Sequence, residues 1–358
     1  MKYIVIKGML NSMEEERKSN KEPLRIEYEL APFHRRVLAN MIDIIIMFLL
    51  FVAIYIPTNA ITKATSAYKH DEDLVNQYRL DSGLFLKNDS TKTYVMYPTY
   101  YDNYANDASW YVKMNKTSES IENFIVYVGK KLDANQQAVV QKDYDEYRLK
   151  FKYEGEPYFV LKDGKVVSNK YSEYDGSGTC KATNEMYYKE VYSIYAVQQC
   201  GGYLLTMFPE YKGAMQEMSN MLFFIELPIA YTLSAVLTFL VPPLIFRRGR
   251  KTLGKLLYRV GLIDKRLLSP SAGRYMGRFA ILFFLELVLS FFTFGIPFIL
   301  SFTLMAFSKR KQGFPDFAMS LIEIDTSKAN IYFNKYEASV DQMQERKKGI
   351  SFHMKSQV

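Results

Sequence analysis

The chain has 358 residues, 49% of them apolar, a formal net charge of +8 and only two cysteines. That length leaves room for two or more domains. The three histidines, His34, His70 and His353, stand apart from one another and from both cysteines, which argues against a zinc enzyme or a histidine-based nucleophilic triad. An enzyme is not expected, and neither a cofactor nor a nucleic-acid partner is.

Three runs, 37–56, 221–246 and 279–307, are nearly charge-free. Each is long enough to cross ~30 Å of hydrocarbon at a rise of ~1.5 Å per residue. The expected fold is a mainly α-helical polytopic membrane protein, with two full spans, a C-terminal helical hairpin and an inserted α+β extracytoplasmic domain. No small-residue cleavage site follows the first run, so it reads as a retained signal anchor.

Charge sets the expected orientation. Residues 1–36 hold 8 basic against 6 acidic side chains, 58–218 hold 19 against 22, 247–278 hold 10 against 1, and 309–358 hold 9 against 6. Short loops rich in Lys and Arg stay in the cytoplasm. The order is then a cytoplasmic segment 1–30, a first transmembrane helix 31–57, an extracytoplasmic domain 58–218, a second transmembrane helix 219–246, a basic cytoplasmic or interfacial loop 247–278, a membrane hairpin 279–307 and a cytoplasmic tail 308–358.

The insertion carries 21 of the 29 tyrosines. "YRLKFKYEGEPYFVLKDGKVVSNK" alternates apolar and polar residues about Asp163-Gly164, which predicts a tight hairpin. "LDANQQAVVQKDYDEY" predicts a helix capped by Asp133, and "ATNEMYYKEVYSIYAVQQC" one that ends near Gly201-Gly202. From Glu210 a helix is expected to run into the second span. Cys180 and Cys200 both fall in this oxidising compartment and are read as a disulfide, the alternative being two reduced, buried thiols. The tyrosines read mainly as core, with a partner-binding surface as the sharper alternative.

In the basic loop, "GRKTLGKL" approaches G-x-x-x-x-G-K but ends in Leu256, where a phosphate loop needs Ser or Thr. Leu253, Leu256, Leu257 and Val260 lie on one side of a helical projection, and Lys251, Lys255 and Arg259 on another. This predicts an amphipathic helix in the headgroup layer, with membrane lipids as partners; basic residues that only control topology are an equal alternative. The final apolar run is broken by Gly295 and Pro297 in "TFGIPF". It sits between "GRYMGR" and "SKRK", so it is read as a hairpin that returns to the cytoplasm, in preference to one tilted span.

Three acids interrupt the spans, Asp43, Glu226 and Glu286, and a charge in hydrocarbon normally faces a partner or a watery cavity. Arg36, Asn40 and Asp43 share one helical face. Asp43 lies about 10 Å of rise beyond Arg36, and Glu286 about 12 Å beyond Arg278, so the two acids are expected at similar depth. Glu226 is expected near the outer surface, beside a bend at Pro228. Two readings fit: an ion or proton site built from Arg36, Asn40, Asp43, Glu286 and Arg278, or a buried network that locks helices together.

The same residues resemble the RDD family of bacterial membrane proteins, named for one arginine and two aspartates. "FHRRVLANMID" resembles its opening pattern through Arg36, Ala39, Ile42 and Asp43. "KTLGKLLYRVGLID" resembles its Thr-x-Gly-Lys segment through Thr252, Gly254 and Lys255, followed by an arginine, Arg274 or Arg278. "KQGFPDFAMSLIEID" resembles the closing segment, with Asp316 as the second aspartate; Pro315 stands where the family usually has His. The resemblance covers about 30–57 and 220–325 and none of the insertion. It implies a small helical membrane domain, with transport proposed and cation/proton antiport reported for some members.

Two functions are expected from this. The first is a transporter or transport subunit that handles a proton or small cation, working as a homo-oligomer or with a partner membrane protein. The alternative is an envelope binding or assembly factor whose outer domain docks a protein or cell-wall ligand, with the spans as anchor.

Overall fold

The computed structural model of the chain describes residues 28–153, 156–168, 183–308, 311–327, 329–341 and 344. The chain divides into two compact units, Met1–Asn59 together with Glu226–Val358, and Ala60–Ile225.

In the first unit, the helix Phe33–Ala64 has a mean hydropathy of 2.7 over a stretch of which only 11% is buried. Its Met41, Ile44, Ile45, Phe48 and Leu49 are exposed, so this surface is made for an apolar surrounding and not for a protein core. The helical stretch Pro209–Ile245, with mean hydropathy 1.8, is the second helix long and apolar enough to cross a membrane. It widens into π-type turns over Leu222–Glu226, just before Pro228. Proline has no N–H to give, and its ring collides with the carbonyl four residues back, so the ladder must open there.

The last apolar run is a hairpin, as expected. Ala272–Ile281 leads into a π-helical stretch Leu282–Val288 and a last turn, Leu289–Phe292. The chain reverses through Phe294 and Gly295, at φ +50° and +83°, and returns as Ile296–Phe307, which packs back on Leu282–Val288. Glycine suits that left-handed residue because no Cβ meets the following carbonyl.

The basic loop corrects the sequence reading. Helix exists only over Leu253–Leu257; Arg259 then turns at φ +56° and the chain enters a strand, Val260–Ile263. This strand pairs antiparallel with Ile322–Asp325, in register Gly261↔Ile324, and Leu30 bridges to Ile324. Val260 is therefore a strand residue, and Lys255 is 2% exposed and points inward. A five-residue turn cannot be the amphipathic helix expected there. Its period was read across a helix-to-strand switch, where β-branched Val260 and Ile263 favour the pleat.

The second unit is helical, with only two-stranded hairpins among its described residues. Two expectations hold closely. Asp133 caps Ala134–Lys150, its carboxylate accepting from the Asn135 and Gln136 N–H groups at 2.8 and 2.9 Å. Phe159–Lys162 pairs with Lys165–Ser168 across Asp163 and Gly164, both at positive φ, as a primed hairpin turn requires. A third expectation fails: the helix from Thr183 does not end at Gly201-Gly202 but continues as Gly201–Met207, stopping at Phe208 before Pro209. Packing of Leu204 into the core outweighs the weak helix preference of two glycines. Cys200 is a buried free thiol, while Cys180, its expected partner, lies outside the described residues.

The tyrosines of this unit are mostly core. Tyr78, Tyr144, Tyr158, Tyr187 and Tyr195 join Phe124, Val128 and Phe208 in one cluster. Tyr144 and Tyr195 pack as a tilted pair at 4.8 Å, and Tyr158 meets Tyr187 edge-on at 3.9 Å between ring centres. Burial raises the hydroxyls of Tyr144, Tyr188 and Tyr195, and burial followed by the Glu210 hydrogen bond pushes Tyr78 up to about 12. A raised folded value means that the fold favours the protonated form. Its contribution is whole below the unfolded value of about 10 and is lost as pH rises through the folded one. Alkaline titration of the full chain should therefore show a part of the tyrosinate absorbance, that of the buried core tyrosines, delayed beyond pH ~10 and rising together with loss of structure by circular dichroism. Titration of every tyrosine near pH ~10 with the fold intact would contradict the buried core.

Candidate functional site

The site lies within the first unit and begins with Asp43, which is 1% exposed. Its two carboxylate oxygens accept from the Gly254 N–H at 2.8 Å and the Thr252 hydroxyl at 2.5 Å. Thr252 is also the cap of the Leu253–Leu257 turn, its Oγ1 accepting from the Lys255 N–H at 3.3 Å. One hydroxyl thus ties the turn to itself and to the first helix.

Gly254 is required by closeness. A Cβ there would stand 2.1 Å from the Ala39 carbonyl oxygen and 3.0 Å from Asp43 Cγ. The next residue, Lys255, reaches the other way and pairs with Glu323 at 2.5 Å, both groups being buried. Glu323 also lies 3.7 Å from the Arg36 Nε, and Arg36 Nη1 donates to the Lys311 carbonyl at 2.5 Å. Arg36 and Asp43 share a helical face, yet they serve different partners and are not one seam.

A second buried pair joins the hairpin to the segment after it. Arg278 grips Asp316 in bidentate fashion, at 2.5 Å through Nε and 3.3 Å through Nη2. Burial alone would raise the Asp316 carboxyl, but Arg278, then Lys255 and Arg36, outweigh it and hold the group below the usual carboxylate range. Arg274, the other candidate for the family arginine, pairs instead with Asp264 at 3.0 Å. Glu226 is 1% exposed and accepts from the Asn59 amide at 2.8 Å.

Glu286 differs from all of these. It is 6% exposed, and its Oε1 has no hydrogen-bond partner among the described residues; Arg36 Nε and Lys255 Nζ also lack a hydrogen bond there, but both are ion-paired with Glu323. Glu286 lines a cavity of about 290 Å³ together with Asn40, Arg278, Ser301, Asp316 and Glu323. Apolar side chains line the rest of the cavity, including Phe239 and Leu282 and, from the returning arm of the hairpin, Phe298 and Phe302. Ser301 accepts from the Phe314 N–H at 2.9 Å, fixing that arm to the Asp316 segment. Among the described residues, no group of three or more His, Cys, Asp or Glu side chains is placed to hold a metal ion.

Residues 194–320 match the RDD family. No curated protein and no solved structure matches the chain. The RDD match includes Thr252, Gly254, Lys255, Arg278, Glu286 and Asp316. Arg36 and Asp43, which resemble the family's opening pattern, lie before it, but the fold brings both into contact with the matched part.

Of the residues expected to form an ion seam, the structure places Asn40, Arg278 and Glu286 on the cavity and Asp43 in a closed hydrogen-bonded clamp. Sequence reasoning missed Glu323. The signal was available in "LIEID": Ile322 to Asp325 are all buried, so the strand places two acids inside, which calls for buried basic partners.

Gly254→Ala should destabilise the protein by roughly 3 kcal/mol, the upper range for overpacking, seen as a lower thermal unfolding midpoint in detergent. The control Gly273→Ala, whose Cβ meets nothing within 4 Å, should be neutral or slightly stabilising. Equal effects from the two would contradict the close approach to Asp43.

Proposed function

We propose that this is a multi-pass membrane protein of the transport type, in which the Glu286 cavity handles a proton or small cation. One observation carries the reading: a buried carboxylate without a partner for one oxygen faces a cavity inside an otherwise paired charge network. The buried charges grouped about the cavity are three bases, Arg36, Lys255 and Arg278, and four acids, Asp43, Asp316, Glu323 and Glu286; Arg250, also buried, donates to the Pro243 and Pro270 carbonyls and stands outside this group. One negative charge is left over, and the unpartnered oxygen belongs to Glu286. Uncompensated charge in a low-dielectric interior is costly, so a proton or a monovalent cation at Glu286 completes the balance.

Asp43 is assigned a different duty from the one its position suggests in the sequence. Both of its oxygens are engaged, so releasing one to a cation would break the clamp to Thr252 or Gly254. Asp43 holds the helices; Glu286 exchanges.

The charge asymmetry of the sequence supports a cytoplasmic N-terminus and tail, with residues 58–218 outside the membrane on the other face. The RDD-family segment and the apolar helices support placement in the cell membrane. A single chain of 358 residues is small for a stand-alone carrier, which favours an oligomer as the working form.

Proteoliposomes test the assignment. Cation-dependent proton flux should be present with the native chain and lost with Glu286→Gln, while thermal unfolding stays near native. Undiminished flux in a folded Glu286→Gln protein would sink the reading.

A further inference from the structure

We propose that the Glu286 cavity takes a small organic monocation, an ammonium bearing an apolar substituent, in exchange for the proton on Glu286. The inference rests on the reading of Glu286 given above and names the class of its cargo.

The donor set excludes a hard metal ion first. Magnesium and calcium need about six or more oxygen ligands, several of them charged. The cavity holds three carboxylates, but two are spent. Both oxygens of Asp316 accept from Arg278, and the oxygens of Glu323 face Lys255 and Arg36. What remains is one carboxylate oxygen of Glu286, the Asn40 side chain and the Ser301 hydroxyl, which is hydrogen-bonded to Glu286 and already accepts from Phe314. An alkali ion stripped of water would find too few ligands there. An ammonium asks for less, because its N–H groups need a few acceptors and its charge needs one counter-charge.

The walls supply the second argument. Phe239, Phe298 and Phe302 line the same space as Glu286, along with Leu282 and Met305. Aromatic faces within about 6 Å attract ammonium groups, more strongly when water is excluded. Apolar surface of this kind gives a metal ion nothing, whereas a short alkyl chain gains by leaving water, at roughly 0.8 kcal/mol per methylene.

Size points the same way. About 290 Å³ is far more than a bare ion fills, and it lies at the small end of organic-ligand pockets. A ligand of a few heavy atoms fits that range.

The exchange balances without a co-reactant. The Glu286 O–H bond breaks, its proton leaves to water, and the incoming ammonium keeps its own protons while donating one N–H to the carboxylate. One positive charge enters as one leaves, so the four acids and three bases stay in balance.

The test uses the full chain in a neutral detergent, with n-butylammonium chloride as probe and sodium and potassium chloride as comparators. Calorimetry should show saturable binding of butylammonium, and a weakly buffered solution should register about one proton released per protein. The two alkali salts should do neither. Glu286→Gln should abolish both signals, and Phe298→Ala should weaken butylammonium roughly fivefold, within the range of one desolvated cation–π contact. Should Glu286→Gln fail to fold, Phe298→Ala and Phe302→Ala carry the same test from the cavity wall. Proton release by sodium or potassium, with butylammonium inert, would overturn the organic cargo and leave proton exchange at Glu286 standing. Butylammonium binding unchanged in Glu286→Gln would overturn the site. No proton release with any cation would remove the transport reading together with the cargo.

Discussion

The rest of the first unit depends on one interaction, the grip of Asp43 on the turn that begins at Thr252. A carboxylate buried about two turns inside an apolar helix must be satisfied by groups of the protein, because it is closed off from water. The turn satisfies it with a backbone N–H and a hydroxyl, and only glycine at position 254 lets the two backbones come close enough. Once the turn is fixed, Lys255 is aimed inward, which calls for an acid opposite. That acid is Glu323, carried on a strand paired with the one that follows the turn. Helix, turn and strand are thus locked by polar contacts in a place where apolar packing gives little direction.

With Asp43 closed in this way, the division of labour among the acids follows. Asp316 is held by Arg278 and Glu323 by Lys255 and Arg36, so each is a structural charge. Glu286 is the exception, placed on a π-helical stretch of the hairpin that faces the cavity. Such stretches interrupt the regular ladder and recur at functional positions. A network that is complete except at one carboxylate is suited to exchanging one charge without moving the others.

Much of this was legible in the sequence where local chemistry decides. The two long apolar helices, the hairpin at "TFGIPF", the Asp133 cap and the Asp163-Gly164 turn all rest on rules of length, capping and backbone freedom that act within a few residues. The family resemblance at Thr252, Gly254, Lys255 and Asp316 correctly gathered residues that meet in space. What failed was long-range. Nothing in "KTLGKLLYRVGLID" alone shows that it stops being helix at Tyr258, because the strand is stabilised by Ile322–Asp325, more than fifty residues away. In the same way, equal depth and a common face suggested that Asp43 and Glu286 share a task, while the actual partners of Asp43 came from a loop over two hundred residues on. The continuation of helix through Gly201-Gly202 was likewise set by the core and not by the glycines.

The most direct test of this account compares thermal unfolding of Asp43→Ala and Glu286→Ala with that of the native chain, in one detergent. Removing Asp43 leaves a buried N–H and hydroxyl without their acceptor, at a cost of about 1–3 kcal/mol for each unmet group. Asp43→Ala should therefore lower the midpoint by several degrees, while Glu286→Ala, which removes the one unbalanced charge, should leave it unchanged or raise it. The reverse order, with Glu286→Ala the destabilised variant, would contradict the assignment of Asp43 to structure and Glu286 to exchange.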